Sequence, residues 1–112
     1  MIHYLQDKAQ PPIIQDMLDE YRILIKIAVD IRRLTLAGGG EMHADCEQVL
    51  LENGSEQDDI WGANWYPKDQ RLEFEAIINI RPARGNSGML IQNQEIRNIV
   101  EAFARRILEV DK

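Results

Sequence analysis

Between Arg71 and Arg81 the chain alternates. Leu72, Phe74, Ala76, Ile78 and Ile80 are apolar, and Arg71, Glu73, Glu75 and Asn79 between them are polar, with Ile77 the exception. Side chains of an extended strand point to opposite sides in turn. The pattern therefore predicts a strand over 71–81 with one face that something else must cover. A cover is at hand near the end of the chain. Ile96, Ile99, Val100, Phe103, Ala104, Ile107 and Leu108 recur at helical spacing and predict an amphipathic helix over 93–109, with Asn93 as its cap. A half-buried strand beside an amphipathic helix restricts the chain to an α+β fold.

The remaining elements follow from local signals. Pro67-Lys68-Asp69-Gln70 is a turn with Tyr66 as its first residue, so 60–66 and 71–81 form a hairpin. Pro11-Pro12 opens a helix over 11–21. Ile25, Ile27, Val29 and Ile31 at period two predict a strand over 24–31, a tight turn at Arg32-Arg33 and a strand over 34–38. One helix from 11 to 37 is the competing reading. Asp45 as a cap and Gln48 in a capping box start a helix over 45–53, with a strand over 48–51 as its rival. The order is αββαββα: one domain over 1–112, an antiparallel sheet of about four strands, and terminal helices packed on one face. Order is expected throughout except at the first ten and the last two or three residues.

Charge and cysteine count exclude several classes. Net charge is −6, which repels phosphate backbones, and Arg81 with Arg84 is only a weak basic cluster; nucleic acid is not an expected partner. A single Cys forms no internal disulfide, and a cytoplasmic location is the simplest reading. The apolar stretch from Ile23 to Val29 is interrupted by Lys26 and too short to span a bilayer. Gly38-Gly39-Gly40 lacks the tail of a P-loop and the spacing of a dinucleotide fingerprint, so it reads as a strand-ending loop with positive φ, and no cofactor is implied.

Three places carry residues with chemical potential. In an extended segment Glu41, His43 and Asp45 share one side. They suit a divalent ion, or a proton-transfer pair in which Asp45 orients His43 as base. The plainer reading is that Asp45 caps the helix and His43 bonds a backbone carbonyl at a sheet edge. The loop from Arg81 to Gly88 offers Arg81, Arg84 and Asn86 to a small anionic ligand; alternatively its arginines pair with Glu73, Glu75 or Asp45. Trp61 and Trp65 fall on one side of their strand and, joined by Ile77, make a pocket, a subunit contact or simply core. Cys46 reads as a small buried hydrophobe.

The runs Gly-Gly-Glu-Met-His-Ala-Asp (39–45), Leu-Leu-Glu-Asn-Gly-Ser-Glu-Gln-Asp-Asp-Ile-Trp-Gly-Ala-Asn-Trp-Tyr-Pro (50–67) and Ile-Asn-Ile-Arg-Pro-Ala-Arg-Gly-Asn (78–86) resemble a family of short prokaryotic proteins known only as a domain of unknown function. The resemblance runs from about Val29 to Asn86 and more weakly through the last helix. Glu41, His43, Asp45, Trp61, Gly62 and Asn64 match it, as do Asn79, Arg81, Pro82, Gly85 and Asn86. Ser87-Gly88-Met89-Leu90 stands where a more basic continuation is expected. The resemblance implies no activity or cofactor.

The sequence thus points to a self-associating interaction or regulatory module, a homo-oligomer with a dimer favoured. Its polar pocket is expected from His43, Asp45, Asn79 and Arg81, with Glu41, Trp61, Asn64, Arg84 and Asn86 as further binding candidates. The alternatives are a small-molecule hydrolase using His43, Asp45 and Arg81, and a metal-binding accessory protein. The expectation that separates them is whether the imidazole and the guanidinium share one crevice.

Overall fold

The sheet has five strands in the order β1-β3-β2-β4-β5, every neighbouring pair antiparallel. The computed structural model describes residues 1–18 and 22–110. Along the chain these are β1 (His3–Leu5), α1 (Pro11–Leu18), β2 (Ile25–Asp30), β3 (Thr35–Gly38), α2 (His43–Glu52), β4 (Ile60–Tyr66), β5 (Arg71–Glu73) and α3 (Gln94–Leu108). The αββαββα order holds, and one strand is added from the N-terminal residues expected to be disordered. His3, Tyr4 and Leu5 pair with Gly38, Ala37 and Leu36. The predicted end of the first helix, at 19–21, lies outside the described residues.

The sheet is covered on both faces. Ile25, Ile27 and Val29 of β2 and Trp61, Ala63 and Trp65 of β4 pack with Val100, Phe103, Ala104 and Ile107 of α3 and with Met17 of α1. The terminal helices therefore share one face, as predicted. Ala28, Ala37 and Ile60 face the other way, onto Cys46 and Leu50 of α2. Burial on both sides makes β2 apolar almost throughout, which is why helix and strand were hard to separate there.

The hairpin β2–β3 turns on Asp30, which is fully buried. Its Oδ1 accepts the backbone N–H groups of Arg32 and Arg33, each at 2.9 Å, and its Oδ2 accepts the Ser55 hydroxyl at 2.6 Å. Leu34 closes the turn with φ +54°. Gly39 ends β3 with φ +99°, and an added Cβ would lie 2.4 Å from the Met1 carbonyl oxygen; the triple glycine is a packed corner.

The predicted strand over 71–81 is the main correction. Ladder pairing with β4 stops at Glu73. Beyond it, Glu75 bridges Leu90, the Ala76 N–H donates to the Met89 carbonyl at 3.1 Å, and Ile77–Asn79 coil into a 3₁₀ turn. The next position along the β4 edge is filled by a side chain. Asn79 Oδ1 accepts the Gly62 N–H at 2.8 Å, and Asn79 Nδ2 donates to the Gly62 carbonyl at 3.0 Å. One carboxamide thus mimics a residue of a paired strand and satisfies both backbone groups of β4 where β5 has ended. Gly62 permits the approach, since a Cβ there would sit 2.6 Å from the Ala76 methyl.

Candidate functional site

On β4, Ile60, Gly62, Asn64 and Tyr66 alternate with the tryptophans and so face α2. On α2, His43 and Glu47 are one turn apart on the same side. Together with the irregular segment after β5 these residues enclose two neighbouring clefts, of about 310 and 360 Å³. The smaller contains His43, Asn64, Tyr66, Glu73, Glu75 and Lys26; the larger contains Arg81, Glu47, Arg84 and Asp58. Ile77 lines both and forms the ridge between them. The imidazole and the guanidinium therefore stand on one side of the sheet in adjoining clefts, not in a common crevice.

His43 opens α2. Its Nε2 lies 2.8 Å from Asn64 Oδ1 and 3.0 Å from the Ala63 carbonyl oxygen. Both are acceptors, because Asn64 Nδ2 donates to Glu73 Oε1 at 3.0 Å and to the Glu75 carbonyl at 3.2 Å. Nε2 must then carry the proton, leaving the lone pair on Nδ1. The Tyr66 hydroxyl donates to the same Glu73 oxygen at 3.2 Å, extending the chain His43–Asn64–Glu73–Tyr66. Burial holds the His43 pKa below its ordinary value, and the bonds to Asn64 and Ala63 offset this only in part.

A pH dependence follows. The unfolded chain takes up a proton at this residue near pH ~6.5, whereas the folded chain resists it to lower pH. Stability is unaffected above that value and falls as pH drops toward the folded pKa. His43→Gln should lose less stability than the wild type between pH 7.5 and pH 5.5, as read by urea midpoints at each pH. An equal loss in both proteins would remove His43 from the acid response.

Asp45 does not orient His43. Its Oδ2 accepts the Met42 N–H at 3.1 Å and its side chain is exposed. α2 starts at His43 with Met42 as its N-cap, two residues before the predicted start, so Asp45 acts from inside the first turn and the expected capping box of Asp45 with Gln48 does not form. Glu41 is exposed and lines neither cleft. Cys46 is buried, its Sγ lies 3.4 Å from the Lys26 carbonyl, and burial pushes its thiol pKa up to about 11, so it is no nucleophile at neutral pH. Among the described residues no three His, Cys, Asp or Glu side chains are placed to hold a metal ion.

Arg81 is engaged. Its Nη2 lies 3.2 Å from Glu47 Oε2, with both side chains only 11% exposed, and its guanidinium carbon is 5.0 Å from the Trp61 ring centroid. Desolvation lowers its pKa, and the Glu47 charge opposes that shift. Arg84, more exposed, lies 3.4 Å from Asp58. Each arginine of this cleft thus faces a carboxylate, and the expected anion site has no excess positive charge. Asn79 and Asn86 are buried scaffold residues; Asn86 Nδ2 donates to the carbonyls of Asn79, Gly88 and Leu90 and its Oδ1 accepts the Gln92 N–H. Trp61 and Trp65 are 1% and 0% exposed and belong to the core, so neither forms an exposed aromatic face. Of that predicted trio, Ile77 is at the surface.

Glu47 and Tyr66 were not singled out from the sequence, and Glu73 only as a partner for the loop arginines, which pair instead with Glu47 and Asp58. Glu47 had a signal, its i+4 spacing from His43; its pairing with Arg81, 34 residues away, had none.

The fold and its paired polar clefts define an α+β protein without a recognised catalytic constellation among the described residues. The chain belongs to the family described as protein of unknown function (DUF5674), which it matches over residues 3–107. No curated protein and no solved structure matches it. No helix among the described residues is long and apolar enough to cross a membrane.

Proposed function

We propose that the protein is a self-associating interaction module whose docking face is the ridge between the two clefts. The observation that carries this reading is Ile77, a large aliphatic side chain 67% exposed at the crest of that ridge. Ile80, Met89 and Leu90, from the same irregular segment, are 43–44% exposed. Exposed apolar residues scattered singly need no explanation, but several gathered on one segment mark a contact surface. Charge supports a second copy as the occupant. The chain carries −6, yet around the ridge Arg81, Arg84 and Arg71 each face a carboxylate, Glu47, Asp58 and Glu73. Two acidic chains can approach through such a face without strong repulsion.

Light scattering on the purified protein at tens of micromolar tests the proposal. The wild type should have the mass of a dimer. Ile77→Asp should be a monomer with stability within ~0.5 kcal/mol of wild type, since the site is at the surface. A wild type that stays monomeric at hundreds of micromolar would sink the reading.

A further inference from the structure

The two clefts differ in charge, and the difference fixes how two copies would meet. In the His43 cleft, Glu73 is satisfied by Asn64 and Tyr66, with Arg71 3.6 Å away. Glu75 is exposed, and its carboxyl group makes no ion pair among the described residues. Lys26 also lines this cleft and already has a partner. In the Arg81 cleft, Arg81 is locked to buried Glu47. Among the described residues the Arg84 side chain ion-pairs with Asp58 alone, at 3.4 Å, the two side chains being 43% and 68% exposed. Such a pair contributes little and exchanges partners easily. Each copy therefore presents, among the described residues, one carboxyl group without an ion pair in one cleft and one loosely held guanidinium in the other.

We infer that, in the self-associated form proposed above, a twofold axis runs along the Ile77 ridge, so that Arg84 of each copy enters the His43 cleft of the other and pairs with Glu75. A twofold contact is self-complementary, every residue pair occurring twice. An axis along the ridge sets Ile77 against its own mate and lays each cleft over the unlike cleft. An axis across the ridge would lay like over like, placing Glu75 near Glu75 and Arg84 near Arg84. Repulsion disfavours the second arrangement.

Charge reversal tests this. Glu75→Arg and Arg84→Glu should each raise the dimer dissociation constant at least about tenfold in sedimentation equilibrium, because two matched pairs become two clashes. Mixing the two variants in equal amounts should restore dimers, all of them heterodimers. In that pair one contact is native and the other is the same salt bridge reversed. Both substitutions sit at exposed side chains, and circular dichroism of each variant confirms that it is folded. Restoration on mixing supports the inference. Variants that dimerise as tightly as wild type, or that stay monomeric when mixed, overturn it while leaving self-association intact. A monomeric wild type overturns the proposed function itself.

Discussion

Asn79→Leu should lower the unfolding free energy by about 3–5 kcal/mol, the largest effect expected for any polar residue of the chain. Leucine is close in size and apolar, so the change isolates hydrogen bonding from volume. Asn79 is fully buried. Its removal leaves the Gly62 N–H and the Gly62 carbonyl, bonded at 2.8 and 3.0 Å, without their partner, and takes from the Met89 carbonyl one of its two bonds, the other coming from the Ala76 N–H. Each unsatisfied buried group costs about 1–3 kcal/mol. Water cannot take over readily, because Ala76 and Ile78 already crowd Gly62. Asn79→Asp keeps the acceptor for the Gly62 N–H and loses both donors; it too should be strongly destabilising. Urea unfolding followed by tryptophan fluorescence reads both variants. The 3₁₀ turn that Asn79 ends also carries Ile77, so Asn79→Leu should weaken self-association as well. A loss under about 1 kcal/mol would show that the edge of β4 does not depend on this carboxamide.

The same residue marks the limit of what could be read from the sequence. Alternation over 71–81 reported correctly that the segment has two unlike sides. It could not report which partner each position would pair with. After Glu73 the partner changes from β4 to Met89 and Ile91, and then to a single side chain on Gly62. The polar slot at Asn79, expected in a pocket with His43 and Arg81, holds a buried carboxamide bonded to backbone. The 60–66 strand was legible because its signals were local and redundant: aromatic and aliphatic residues before a proline turn. β1 was not, since three residues carry no period and gain order only from β3. At the site, Asp45 serves the start of α2 through the Met42 N–H three residues away, whereas the backbone carbonyl that His43 bonds belongs to Ala63, 20 residues away. What escaped were contacts across long separations, such as Arg81 with Glu47 and Ser55 with Asp30. Nothing in local spacing encodes these. They exist because the sheet order brings the ends of α2, β2 and the segment after β5 together.

Asp30→Ala should cost about 3–4 kcal/mol, through the same penalty for unpaired buried groups. Asp30 accepts two backbone amides and one hydroxyl, and all three donors lose their partner at once. The two amides fix the turn that registers Val29 opposite Leu36 and Asp30 opposite Thr35. A slip of one residue would exchange the two faces of β3, placing Leu36 toward α2 and Ala37 toward α3. The hydroxyl bond has a second effect. Ser55 follows the C-terminal end of α2, and its N–H donates to the Leu50 carbonyl at 3.0 Å. Asp30 therefore ties the helix bearing His43 and Glu47 to the tip of the first hairpin. Ser55→Ala removes only this tie and should cost about 1 kcal/mol. In the Asp30→Ala background the same change should cost almost nothing, because the bond is already gone, and a double-mutant cycle of urea midpoints measures that coupling. Strict additivity would mean that the hairpin turn and the end of α2 are stabilised independently, and that the orientation of the docking face owes nothing to Asp30.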